Sequence, residues 1–320
     1  MSKLLKYLVF PCMGAIFFLS CLSEGETLCE SYIRFEYDYN TAYVDLFYKQ
    51  ASRVDLFLFN ESDVFEKTVS VTSSGATFDK DYLLQLPAGI AKGTKFIAWS
   101  GLYPESYMQS TMTAGTSTMS DLIVALNAAA GAESDKSLHP LWFGKLNGGL
   151  IRYENEVNTI NMVKDTKNVR IVIEAQNKDF EIDADDFTFS LTAKNNSYNH
   201  LNAVADNVAR VYVPFVQENH GSSKRVVAEI STLRLLESND NRLVITIEGQ
   251  DDPIIDVNLN EYIDALKPAK HSALNLQEYM DREDEFGFVV LLTKTETPET
   301  VHYLSTMISI NEWIPREQEE

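Results

Sequence analysis

Residues able to carry acid–base, metal or nucleophilic chemistry are scattered through this 320-residue sequence rather than gathered. His139, His200, His220, His271 and His302 stand far apart, and none has a second His or a Cys at metal-ligand spacing. Acids bunch at Asp183, Asp185 and Asp186, and again at Asp281, Glu283, Asp284 and Glu285, enough oxygen in principle for Ca²⁺. Neither run has the Gly and Glu positions of an EF-hand loop, so both read as solvated loops. There is no G-x-S-x-G elbow, P-loop or dinucleotide fingerprint. A glycosidase pair is defined by separation in space, and among 47 acids some pair always qualifies by chance. Trp99, Trp142 and Trp313 would serve as sugar platforms if exposed, but each lies in or beside an apolar run, which favours core packing. The expectation is a non-enzymatic protein with no catalytic, cofactor-binding or metal-binding residue and no small-molecule substrate.

One residue does carry assignable chemistry. Lys3 and Lys6 precede an apolar stretch, Tyr7 to Leu19, too short for a bilayer span of about 20 residues, so residues 1–20 read as an export signal. Phe18-Leu19-Ser20-Cys21 resembles a lipobox, with Phe18 where Leu is usual. Cys21 then becomes the acylated N-terminus, and two or three chains give stable tethering, each buried CH₂ contributing ~0.8 kcal/mol. The alternative, ordinary cleavage with an unmodified Cys21, makes a soluble secreted protein. With Cys12 lost and Cys21 acylated, Cys29 stands alone and no intramolecular disulfide forms. Stability must come from apolar cores, which a chain with 45% hydrophobic residues can build.

The formal charge of −20 becomes −22 once residues 1–20 are removed. Such a chain repels phosphate, which excludes nucleic acid as a partner and fits a self-repelling, exported surface.

The elements that must position these residues read as strands. After a polar tether over 21–31, Ile33, Phe35, Tyr37 and Tyr39 alternate with Arg34, Glu36 and Asp38, one face of a half-buried strand. Val54–Phe59 is apolar on both faces and reads as central; Phe65–Thr72, Ala76–Leu86 and Lys95–Ser100 continue the set. Segment 120–130 fits a helix or a loose strand and is left unassigned. Turn chemistry at Asn147-Gly148-Gly149 closes the first half, with a boundary near 155. Beyond it Val169–Ile173, Phe187–Leu191, Leu243–Ile247 and Phe288–Leu292 are strand-like, and Leu259, Tyr262, Ile263 and Leu266 have helical spacing. The fold expected is all-β with a few short helices: two consecutive β-sandwich domains over 32–155 and 156–320.

Several segments in order carry a family resemblance: Cys21, Cys29 and Arg34–Asn40; Leu86-Pro87-Ala88-Gly89 with Phe96–Leu102; Val163–Asn168; Glu278–Phe286; and Ile308–Trp313. Together they resemble the FimB/Mfa2 family of fimbrial anchor and accessory lipoproteins from Bacteroidetes. Met280 stands where Leu is more usual, a volume-conserving exchange. The resemblance implies transthyretin-like sandwiches, outer-membrane lipidation at Cys21, and a place at the base of a surface fibre, which the protein anchors and limits in length. Open sheet borders make fimbrial stalk or accessory subunits the expected partners by β-strand addition. A carbohydrate-binding surface lipoprotein of a glycan-uptake system is the alternative. Proteolytic maturation at exposed sites such as Arg53 is left open.

Overall fold

The computed structural model describes residues 31–88, 90–91, 93–128, 133–146, 157–221, 224–296 and 301–309. The signal segment, Cys21, Cys29, the 147–149 turn and Trp313 lie outside them. Strand accounts for 44% of the described residues and helix for 11%, so the fold is all-β and sandwich-like, as the alternation predicts.

The first half holds β1 (Tyr32–Glu36), β2 (Arg53–Phe59), β3 (Phe65–Thr72), β4 (Leu84–Gln85), β5 (Lys95–Ser100), β6 (Tyr107–Gln109), β7 (Val124–Leu126), β8 (Trp142–Leu146) and β9 (Val157–Lys164), with a short helix α1 (Phe47–Gln50). The second holds β10 (Thr166–Ala175), β11 (Phe187–Ala193), β12 (Ser197–Tyr198), β13 (Arg210–Tyr212), β14 (Val216–Asn219), β15 (Arg225–Leu233), β16 (Arg242–Ile247) and β17 (Ile255–Asn258). Helices α2 (Leu259–Ala265) and α3 (Leu276–Arg282) then lead into β18 (Glu285–Glu296) and β19 (Val301–Ser309).

Seven strands form one sheet in the order β3-β2-β5-β8-β9-β1-β4. Its inner face closes over a core of Ile33, Phe35, Val54, Leu56, Leu58, Phe96, Trp142, Ile160 and Met162. The second half stacks a five-stranded sheet, β14-β15-β10-β18-β19, with a four-stranded one, β13-β11-β16-β17. β2 is buried along nearly its whole length, as its two-sided apolar sequence requires.

The expected boundary at 155 falls before β9, which pairs with β8 and, in parallel, with β1. Sheet membership therefore changes at Asp165 rather than at 155. The two cores also do not divide one per half. The outer face of the seven-stranded sheet (Phe57, Phe59, Ile97, Trp99, Phe143) belongs to the same core as Val169, Ile171, Phe189, Ile245 and Phe288. Between them lies a three-stranded sheet, β12-β7-β6, in which the second half contributes β12 through Ser197↔Ala125 and Tyr198↔Val124.

Local differences from the strand pattern have visible causes. β1 stops at Glu36 because the Tyr37 N–H donates to the Asp45 carboxylate at 3.0 Å instead of to a strand. Of the extended segment expected over 76–86, only Leu84 and Gln85 are strand, because turns at Asp79–Tyr82 interrupt it. Segment 119–126 resolves into a 3-10 turn (Met119–Asp121) followed by β7. The helix expected at Leu259 is present, while α1 and α3 were not visible in the apolar spacing.

Gly101 sits at φ +84°, and a Cβ there would lie 1.9 Å from the Pro140 carbonyl oxygen. Gly115 also has positive φ (+73°) but opens on free space. Left-handed strain at a non-glycine residue costs about 1–3 kcal/mol. Gly115→Ala should lose only that strain, whereas Gly101→Ala loses it and must also displace main chain. Urea unfolding is expected to show a lower midpoint for Gly101→Ala than for Gly115→Ala; equal midpoints would contradict the close approach.

Candidate functional site

The charged residues that converge most densely do so where the chain passes from β9 to β10. Asp165, fully buried, receives a hydrogen bond on Oδ1 from Asn202 Nδ2 at 2.9 Å, while its Oδ2 has no partner. Lys167, also fully buried, donates from Nζ to the carbonyl oxygens of Asp281 and Glu283, each at 2.8 Å. Arg234 forks onto Asp281 with two bonds of 2.6 Å, and Gln277 donates to the same carboxylate at 2.8 Å. Lys164 pairs with Asp284, donates to Gln50 Oε1 at 3.1 Å and lies 5.6 Å from the Trp142 ring centre. Arg282 rests 4.0 Å from the Tyr39 ring centre and 4.9 Å from that of Tyr43, and Thr41 N–H donates to its carbonyl.

Three of the sequence segments that carried the family resemblance thus meet at one place: Arg34–Asn40, Val163–Asn168 and Glu278–Phe286. The cluster at 281–285 is not a free loop of acids; Asp281 and Asp284 are matched by Arg234 and Lys164, and Asn168 donates to Glu285 at 2.9 Å. Burial is the first cause of its titration behaviour. It pushes the Asp165 carboxyl up to about 7 against the opposing pull of Arg234, and the Lys167 ammonium down to about 8. Burial also raises the Glu283 carboxyl, although the Glu285 and Asp284 N–H groups donate to it.

The other sequence candidates are dispersed. Asp183 and Asp186 cap a 3-10 turn by exchanging side-chain and main-chain hydrogen bonds. His139 Nδ1 lies 2.9 Å from Ser106 Oγ, His271 is buried beside Tyr279, and the side chain of His302 is outside the described residues. The His220 N–H donates to Arg225 O at 3.0 Å, and His200 lies in a cleft with Lys95 and Lys145. No group of three or more His, Cys, Asp or Glu side chains among the described residues is arranged to hold a metal. Trp99 and Trp142 are 0% and 1% exposed, which removes two of three candidate sugar platforms. Arg53 is not an exposed loop position: it opens β2 and is ion-paired with Asp55 at 2.8 Å. No helix among the described residues is long and apolar enough to cross a membrane.

Four sheet borders stand out as places for a partner strand. The long ones are β3 and β19, each paired on one side only among the described residues; β14 and β17 are shorter. At β3, residue Phe65 is covered by main-chain bonds with Gly115 and Ser117, but Glu66–Thr72 is not, and carries only two charges, Glu66 and Lys67. A weakly charged border of this length is a template for strand addition, although a register irregularity sits near its start, where Leu58 and Phe59 face Lys67 and Phe65.

The family model of "Fimbrillin-A associated anchor proteins Mfa1 and Mfa2" matches residues 26–319. A Bacteroides thetaiotaomicron protein proposed to bind polysaccharide has a similar structure, with 26% identity, 86% of this chain and 98% of that chain covered, and a TM-score of 0.73. A proposed adhesin of the same organism is similar at 24% identity, with 88% and 98% covered and a TM-score of 0.73. The fimbrial anchor protein Mfa2 from Porphyromonas gingivalis shares the fold at 14% identity, with 88% and 97% covered and a TM-score of 0.66. A search among curated proteins gave no match.

The sign of the Asp165 effect on stability follows from its raised pKa. The folded state keeps this proton up to about pH 7, whereas an unfolded Asp releases it near pH ~4. Between those limits the folded state binds more protons, so this group's contribution to stability falls as pH rises. Urea midpoints measured from pH 4 to 8 should therefore show Asp165→Asn gaining on the parent chain as pH approaches 7. A pH-independent difference between the two would refute the assignment.

Proposed function

The chain belongs to the Mfa2 family of fimbrillin-A associated anchor proteins, and from that membership we propose that it attaches a fimbrium to the outer membrane and limits the fibre's length. The family is non-enzymatic in kind and works with fimbrial subunits at the cell surface. The single observation that carries the reading is the family match across residues 26–319. Acylation of Cys21 fixes one end of the protein to the membrane, because two or more acyl chains hold a protein where one is marginal. A stalk or accessory subunit engages by adding a strand to an open border, and the Glu66–Thr72 stretch of β3 is the one its length and low charge favour.

The alternative, a carbohydrate-binding surface lipoprotein, draws support from the relative proposed to bind polysaccharide. The burial of Trp99 and Trp142 weighs against it in the form that depends on tryptophan platforms.

Two experiments test the proposal. In cells carrying Cys21→Ala in place of the native chain, fibres of ordinary length should be shed into the medium; normal cell-bound fibres would refute the lipid anchor. For strand addition, Lys67→Pro and Thr68→Pro form a matched pair, since adjacent residues of a strand aim their N–H groups to opposite sides. One change removes an outward donor and spares the β2 pairing, while the other breaks it. The variant that keeps the parent's unfolding midpoint should lose binding to purified stalk subunits, and native binding by it would exclude β3 as the border used.

A further inference from the structure

In a chain of net charge −20, one cleft brings two lysines of the first half together with a histidine of the second. β5 pairs with β8 so that Ile97 lies opposite Lys145, which makes Lys95 and Lys145 diagonal neighbours on the sheet face that carries Ile97, Trp99 and Phe143. Like charges so placed repel. Lys95 is committed: its Nζ donates to Asp63 Oδ1 at 2.6 Å and to the Glu61 carbonyl at 3.1 Å. Lys145 makes no hydrogen bond or ion pair among the described residues, and burial, together with Lys95, pulls its ammonium below the usual lysine range. β12, which crosses from the second half to pair with β7, brings His200 to the same cleft. The Nδ1 of His200 is buried without a hydrogen-bond partner. Thr118 and Ser120 add hydroxyls to the wall, and Met119 supplies its apolar part.

The cleft measures about 280 Å³, just below the range of roughly 300–1,000 Å³ usual for drug-sized ligands, which suits one sugar unit rather than an extended chain. We propose that it binds a hydroxyl-rich carboxylate of monosaccharide size, a uronate-type sugar. Lys145 Nζ supplies a charge-assisted bond to the carboxylate, and the His200 ring forms part of the wall beside it. The ligand's hydroxyls have Asp63 and Ser120 Oγ as acceptors, the Ser120 hydrogen being donated to Thr118 Oγ1. The site is formed by both halves and by none of the open sheet borders. It adds a ligand to the anchoring role without depending on it.

The test uses the mature chain, glucuronate as ligand, and the His200 ring resonance, assigned by comparison with His200→Gln. His200 faces Lys145 and Lys95, which disfavour its protonation, and Asp63, which favours it; burial and Lys145 hold its pKa below the ordinary value. Glucuronate should shift the ring resonance and raise that pKa, and glucose should do neither. Acetate and phosphate should bind at least tenfold more weakly than glucuronate, and Lys145→Gln should lose at least tenfold in glucuronate affinity at an unchanged melting temperature. Acetate or phosphate binding as tightly as glucuronate would overturn the sugar assignment. An unmoved His200 resonance, or native affinity in Lys145→Gln, would overturn the site itself. Neither result bears on the fibre role, which is tested on cells and at β3.

Discussion

A carboxyl and an ammonium are taken out of water where the chain leaves one sheet for the next, and the neighbouring elements compensate the ammonium fully and the carboxyl in part. Desolvation costs several kcal/mol per ion, and close, well-oriented partners must offset it. Lys167 meets that condition when the end of α3 is in place, whereas Asp165, bonded to Asn202 through Oδ1 alone, answers its burial by holding its proton. The first sheet is drawn in by Lys164, which holds Gln50 at the end of α1 and Asp284 after α3. A shift of α3 by one residue would strand these groups without partners, so the cluster fixes how the two halves sit rather than simply adding stability.

Apolar packing acts in the same direction. The outer face of the seven-stranded sheet shares its core with the second half, and β12 is exchanged into the three-stranded sheet between them. A protein joined in this way behaves as one body, while its free main-chain groups lie at the sheet borders. That division is compatible with the proposed addition of a partner strand at a border.

The alternation of Ile33, Phe35 and Tyr37 and the two-sided apolar run at Val54–Phe59 are local signals, and the strands they predict are present. The 3.6-residue spacing at Leu259 likewise gave α2. What local pattern did not carry was pairing across distance. β9 reads as an ordinary strand on either side of a boundary, and only its parallel partner β1, about 125 residues earlier, decides its sheet. The acids at 281–285 looked like a solvated loop because their cations, Lys164, Lys167 and Arg234, are far away in the sequence. The cleft at His200 was similarly hidden: its residues come from β5, β8, a 3-10 turn and the segment after β12, and the histidine had seemed isolated. The family landmarks were visible as words, but the reason three of them travel together, mutual contact at the junction, was not.

The position of β1 has a mechanical consequence. This first strand lies inside the seven-stranded sheet, flanked by β9 and β4, with five residue pairs in parallel register to β9. A pull directed along the strand axis would load this ladder as a set rather than open it rung by rung. Hydrogen bonds strained simultaneously rupture at higher force than the same bonds broken in turn, which is the resistance that an internal position for β1 would offer to such a load.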